Sequence, residues 1–147
     1  MKRAGKAHPI VIVGVLSILA YIALVFGAGG GTSTEAAVQF MGALGQGDVD
    51  TLTRLTYAPG KPEEKVRKEW EYTVDTVGPH YRFMFQLLTT KQATETFHTV
   101  AIHVFRDADN PSTYGEKFEL PLIKSDKGWQ VDIASVNRQM YPGLPRL

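Results

Sequence analysis

The sequence predicts an α+β domain, with three helices packed on a four-stranded antiparallel sheet, behind an N-terminal transmembrane helix. Three observations carry this prediction. An uncharged apolar run extends from Ile10 to Ala28, apolar residues recur at helical spacing over residues 32–74, and they alternate at every second position over residues 83–133. The first pattern is typical of a membrane span, the second of amphipathic helices and the third of half-buried strands.

The apolar run from Ile10 to Ala28 contains 19 residues. As a helix it would be about 28 Å long, close to the ~30 Å hydrocarbon core of a bilayer. A cleaved signal peptide is the alternative, because the start is basic and small residues follow at Gly27 and Ala28. Signal peptides carry apolar regions of only ~7–15 residues, so the length favours an anchor. Under both interpretations the basic start stays cytoplasmic and the remainder is exported, to the periplasm or the cell exterior.

Small side chains line the predicted span and would let another membrane helix approach closely. Tyr21 lies in mid-span, where a partner helix could satisfy its hydroxyl. The candidates for helix packing are Gly14, Ser17, Ala20, Tyr21, Ala23 and Gly27. They predict an integral membrane protein as partner, in addition to the lipid bilayer itself. The alternative is that small residues are simply common in single-span helices.

The exported part begins with a Gly-rich linker that reaches at most about 17 Å, so the domain would lie close to the membrane. Thr32 and Glu35 have capping-box spacing before a first helix that extends to Leu44. Asp48 is placed to cap a second helix, and Pro62 to begin a third. The predicted organisation is a cytoplasmic segment 1–9, a span 10–28, a linker 29–33, a domain 34–137 and a tail 138–147 that follows the domain or reaches a partner.

Four strands are predicted from alternating apolar residues, at positions 83–87, 100–104, 118–122 and 129–133. Trp129 begins the buried face of the last strand. Pro121 cannot donate to a ladder, so the third strand is expected to be an edge there or to be bulged. The segment from Ser125 to Gly128 predicts a tight hairpin turn between the last two strands.

Three sequence segments together with the order of elements resemble the NTF2-like, or cystatin-like, superfamily over residues 32 to about 137. They are Glu35–Phe40, Gly47–Asp50 and Lys127–Asp132. The resemblance implies a curved sheet that wraps a long helix to form a cone. The superfamily includes isomerases, dehydratases, non-catalytic binding modules and envelope assembly subunits, so the fold alone does not choose the function.

A cavity in such a cone would need an acid or base, and the candidates are few. His98 shares the parity of the apolar residues of its strand, but a lone histidine in an apolar stripe is usually a core residue with its hydrogen bonds satisfied. Glu116 lies about six residues from the level of His98, roughly 20 Å, so the two are not expected to form a dyad. Tyr72 and Tyr81 could offer hydroxyls at a cavity mouth, although aromatic residues usually only pack. These four are the candidate ligand-binding residues, and no catalytic residue is predicted.

The amino-acid composition and the charge distribution exclude several kinds of site and partner. The chain has no cysteine, which excludes thiol nucleophiles and Cys-ligated zinc or iron–sulfur clusters. The first eight residues carry a charge of +3, so the rest nets −2 in a chain of net charge +1. No basic stripe remains, and nucleic acid is not expected as a partner. No phosphate-binding loop or metal-ligand spacing occurs, so neither cofactor nor metal is predicted.

Three hypotheses about function follow. The first is a non-enzymatic, membrane-anchored accessory or assembly subunit of an envelope or membrane complex, for example in secretion, respiration or photosynthesis. The second is a small-molecule-binding or isomerase-like domain that uses the cone cavity. The third is a secreted soluble binding domain, which requires cleavage near Ala28.

Overall fold

The computed structural model describes residues 31–106 and 115–147. The predicted span Ile10–Ala28, its six candidates for helix packing and the alternative cleavage site all lie outside these residues. Within the two described ranges, no helix has both the length and the apolar character that crossing a membrane requires.

Three helices open the domain: α1 (Ser33–Gln46), α2 (Val49–Leu55) and α3 (Glu63–Thr76). The predicted capping box at the start of α1 is confirmed. The Thr32 hydroxyl accepts from the Glu35 backbone N–H at 3.2 Å, and the Glu35 carboxylate accepts from the Thr32 N–H at 3.0 Å. Gly47 ends α1 in the left-handed conformation, with φ of 72°.

The predicted cap of α2 is also confirmed, because Asp48 accepts from the Thr51 N–H at 3.2 Å. Hydrogen bonds from Thr51 lower the pKa of the Asp48 carboxyl. Pro62 directly precedes α3, which buries Val66 and Trp70 against the core.

The sheet contains five strands rather than the four predicted. They are β1 (Thr56–Tyr57), β2 (Met84–Gln92), β3 (Phe97–Phe105), β4 (Glu116–Ser125) and β5 (Gly128–Asp132), in the spatial order β1-β5-β4-β3-β2. The antiparallel arrangement of β2 to β5 agrees with the prediction. The all-antiparallel description is wrong, because β1 pairs in parallel with β5. A strand of two residues is too short to show any alternation in the sequence.

Pro121 lies in β4, which has a neighbouring strand on each side in the sheet. At Pro121 itself β4 is paired only with β3, so the expectation that the strand is an edge at this position is confirmed locally. The ladder between β4 and β5 ends at the pair Leu122–Val131, one residue before Pro121. On the other side Pro121 pairs with Thr99 of β3.

The core lies between the helices and one face of the sheet, which we call the inner face. Its central residues are Ala37, Phe40, Leu44, Val66, Trp70, Val100, Ile102, Leu120, Leu122 and Val131. Trp70 is fully buried, and its indole N–H donates to the Thr56 hydroxyl at 2.9 Å. Thr56 in turn donates to the Leu52 carbonyl at 2.7 Å, which ties β1 to α2 and α3. Trp129 lies on the inner face but is only half-buried, at its edge.

The chain after β5 forms a 3₁₀ turn (Ile133–Ser135) and then a segment without helix or strand, residues 136–147, which we call the strap. Its apolar side chains enter the core at Val136, Met140, Tyr141 and Leu144. Of the two alternatives predicted for the tail, the structure shows the one in which it follows the domain.

Candidate functional site

The inner face has two ends with different polar groups. His98 lies at the start of β3 and Arg106 directly after its last residue, so they are about 26 Å apart along the strand. We call the first the α1 end, because Ser33 of α1 contacts it. The second is the strap end, where the strap meets Tyr81 and Arg106.

At the α1 end, His98 occupies the inner face opposite Leu122. Its Nδ1 is hydrogen bonded to the Ser33 hydroxyl at 2.6 Å, and Ser33 is buried. The Trp129 ring lies against the imidazole, with ring centroids 4.2 Å apart. A serine in the first turn of α1 and an aromatic from β5 therefore hold the ring of the half-buried His98, whose Nδ1 is hydrogen bonded within the domain.

A second side-chain bond at the α1 end joins the helix to the edge of the sheet. The hydroxyls of Thr34 and Thr90 are 2.7 Å apart. Lys124 places its ammonium 6.0 Å from the centre of the Trp129 ring. The Ser33–His98 and Thr34–Thr90 bonds fasten the start of α1 to β3 and β2.

At the strap end, Arg106 continues the parity of Val104 onto the inner face. Its guanidinium donates to the Tyr81 hydroxyl and to the Gln139 carbonyl. Its Nε lies 3.4 Å from the Glu116 carboxylate. It also lies over two aromatic rings, 5.4 Å from the centre of Tyr81 and 5.9 Å from that of Phe118. A half-buried cation therefore joins the sheet, the turn before β2 and the strap.

Two tyrosines pack beside Arg106. The Tyr81 hydroxyl donates to the Met140 carbonyl at 3.2 Å, and its ring meets Tyr141 edge to face at 4.9 Å. Burial raises the pKa of the Tyr81 phenol, Arg106 opposes this effect, and Glu116 adds to it. Burial is also the main cause that raises the pKa of Tyr141, and Tyr81 adds to it.

The structure separates the four predicted ligand-binding residues. Glu116 pairs with Val104 and is six residues from the level of His98, so the predicted separation of about 20 Å is confirmed. Tyr81 and Glu116 share the strap end through Arg106, although Glu116 is exposed. Tyr72 is 67% exposed on α3 and lies on the surface instead of at a cavity mouth.

Sequence reasoning missed Arg106 and the role of the tail. The signal for Arg106 was present, because it follows the alternation of Ile102 and Val104 by two residues. The apolar residues of the strap were also visible, but their irregular spacing matches neither a helix nor a strand.

A separate surface groove of about 620 Å³ lies outside the inner face. It is lined from α2, β1, the start of α3 and the turn between β4 and β5, with Asp50, Thr53, Arg54, Lys61, Lys127 and Gln130 among its residues. Gln130 is buried and donates to the carbonyls of Arg54 and Thr56 at 2.9 and 3.2 Å. Among the residues described, no group of three or more His, Cys, Asp or Glu side chains is arranged to hold a metal ion.

No protein-family model matches the sequence, and no curated protein matches it. Solved structures do. A cystatin-like-fold domain from Nostoc punctiforme matches with a TM-score of 0.50 and 12% identity, over 67% of this chain and 69% of that one. A ketosteroid isomerase-like protein from Erwinia carotovora atroseptica matches with a TM-score of 0.45 and 16% identity, over 67% of this chain and 86% of that one. An NTF2-like protein from Shewanella oneidensis matches with a TM-score of 0.41 and 18% identity, over 68% of this chain and 94% of that one.

At these identities the matches show a fold and no more. The domain has the NTF2-like, or cystatin-like, α+β fold, with three helices on a five-stranded mixed sheet. The resemblance stated from the sequence is confirmed at that level.

Proposed function

We propose that the chain is a non-enzymatic accessory or assembly subunit of a membrane protein complex. In this proposal the segment Ile10–Ala28 anchors it in the bilayer, and the NTF2-like domain acts through contacts with other proteins. The domain lies on the extracytoplasmic side, because the basic residues precede the apolar segment.

The observation that carries the proposal is the occupation of the strap end by the chain itself. Tyr141 is 2% exposed and packs on Tyr81 and Phe83, so a side chain of the chain itself fills this end of the inner face. At the other end, Ser33 and Trp129 hold His98. Polar groups of the inner face are therefore committed to the fold, which favours function through outer surfaces.

Strand β2 offers such a surface, because it is the edge strand opposite β1 in the described sheet. Met84 is 48% exposed and Leu88 is 38% exposed along it. The pairing with β3 shifts between Leu87 and Thr90, so Leu88 lies at an irregularity of this strand. Edge backbone groups beside exposed apolar side chains are typical of a surface to which another protein adds a strand.

Purification of the full chain in mild detergent, followed by mass spectrometry, tests the proposal. We expect one stable set of integral membrane proteins. Leu88→Lys should reduce their recovery, whereas Val38→Lys on α1 should not, although Val38 is 40% exposed and so matches Leu88 in exposure. Replacing both Ala23 and Gly27 by Leu should also reduce recovery, because it blocks close approach of a second membrane helix.

Two results would contradict the proposal. One is a chain that purifies from the soluble fraction with a new N-terminus near Gly29. The other is a folded His98→Gln chain that keeps its membrane partners and loses its cellular function. The second result would favour a small ligand on the inner face.

A further inference from the structure

The strap is held to the rest of the domain through its backbone. Three side chains from separate parts of the chain donate hydrogen bonds to strap carbonyls. Arg106 donates to the Gln139 carbonyl, Tyr81 to that of Met140 at 3.2 Å, and Thr73 to that of Gly143 at 2.6 Å. Donors that reach backbone carbonyls bind any peptide of the right shape, whatever its side chains.

The strap forms no ladder with the sheet. Its backbone hydrogen bonds within the described residues are local, from Val136 N–H to Ile133 O at 3.3 Å, from Met140 N–H to Asn137 O at 3.0 Å and from Leu144 N–H to Tyr141 O at 3.3 Å. Arg138 donates to the carbonyls of Leu144 and Pro145, inside the strap itself. Residues 137–147 of the strap can therefore leave as one unit without breaking a backbone hydrogen bond of any described helix or strand.

One side chain of the strap enters a shaped slot. The Tyr141 ring meets the rings of Tyr81 and Phe83 edge to face, with centroid distances of 4.9 and 6.1 Å. Its hydroxyl lies 4.0 Å from the point that a Cβ would occupy if Gly78 carried a side chain. An aromatic slot beside carbonyl-binding donors is suited to a peptide that carries one aromatic residue and adopts the turned backbone of the strap.

We propose that the strap is a displaceable occupant of this site, and that a peptide segment with an aromatic side chain and the same turned backbone, supplied by the membrane-protein partner, takes its place. This inference rests on the proposed function. The incoming peptide would replace the three carbonyl bonds and the aromatic contact, and it would also have to cover the core positions that Met140 and Leu144 fill in the strap.

Native-state hydrogen exchange on the full wild-type chain is the first test. The Met140 and Leu144 amides should exchange at least about tenfold faster than amides of the sheet such as Val100 and Leu120. The exchange rates of the strap amides should also change little with denaturant concentration, as expected for local opening. If the strap amides exchange only together with the ladder amides, the strap is an integral part of the core and the proposal is wrong.

Gly143 provides a way to open the strap by adding a single methyl group. A Cβ at this position would lie 2.8 Å from Val77 Cβ and closer still to one of its methyl groups. Gly42 is the matched control, because a Cβ there meets nothing within 4 Å. The second test uses a labelled peptide with the sequence of residues 136–147, added to full chains that carry Gly143→Ala or Gly42→Ala and to the wild type.

We expect the peptide to bind the Gly143→Ala chain about tenfold more tightly than the other two, since the competing strap is weakened. A peptide with Tyr141→Ala should lose this binding. Equal affinity of the peptide for all three chains, or equal affinity of both peptides, would overturn the proposal. If the Gly143→Ala chain does not fold, hydrogen exchange on the wild-type chain is the deciding test. Peptide binding without any recovered membrane partner would refute the accessory role and leave strap exchange standing, whereas the reverse result would refute only the exchange.

Discussion

The α1 end and the strap end close the same inner face by different means. At the α1 end a helix joins the sheet through the side-chain pairs Ser33–His98 and Thr34–Thr90. At the strap end an arginine and two hydroxyls bind the backbone of a segment that has no secondary structure. The α1 end therefore depends on pairs of side chains, whereas the strap end depends on the position of backbone carbonyls together with one buried aromatic side chain, Tyr141. This difference makes the strap end the place where another chain could substitute.

The largest difference should appear when one aromatic residue is removed from each end. Tyr141→Ala empties a fully buried position and should lower the free energy of unfolding by about 3–5 kcal/mol. Trp129→Ala should cost only about 2 kcal/mol, because the indole is half-buried. Urea unfolding of both variants checks the order, and an equal or larger loss at Trp129 would show that the α1 end is packed as tightly as the strap end.

Arg106 tests the electrostatic part of the strap end. Arg106→Gln should lower the free energy of unfolding by about 1.5–3 kcal/mol, because it removes charged hydrogen bonds to Tyr81 and to the strap. The control is Arg82→Gln, since Arg82 is exposed and should cost close to nothing. Thermal and urea unfolding measure both, and equal effects would mean that Arg106 does not hold the strap.

The pair Ser33–His98 tests the α1 end in the same way. Ser33→Ala leaves His98 Nδ1 without its partner and should cost about 1 kcal/mol. A double-mutant cycle with His98→Gln should give a coupling energy of similar size. A coupling near zero would mean that Ser33 and His98 contribute independently, and that packing by Trp129 alone positions the imidazole.

The two tyrosines predict a loss of stability in alkali that comes from the strap end. Their pKa values are raised in the folded state, chiefly by burial, so above pH ~10 the unfolded chain releases phenol protons that the folded chain retains. Stability should be fully present below that pH and fall as the pH rises further. Tyr81→Phe should flatten the decline, as measured by urea unfolding at several alkaline pH values. An unchanged slope in that variant would place the cause elsewhere.

Local rules in the sequence predicted much of the fold. The capping box at Thr32 and the cap at Asp48 each depend on residues within one turn of helix, whereas the predicted end of α1 at Leu44 falls short of the observed end at Gln46. The alternation in β2 to β5 depends on one buried face. It therefore also predicted that His98 lies on the inner face and that Glu116 lies far from His98.

Two features were decided only by the tertiary structure. Strand β1 consists of Thr56 and Tyr57, and two residues cannot show a period; only the neighbouring β5 makes them a strand. The strap is ordered by Arg106, Tyr81 and Thr73, which bind its carbonyl oxygens. Every residue carries such an oxygen, so the sequence of the strap has no signature for this contact. The sequence by itself determined the helices, the main strands and the apolar segment before them, because each arises from a local pattern of residues. The strap end was decided by the tertiary structure, because side chains that are distant in the chain bind the backbone of one segment.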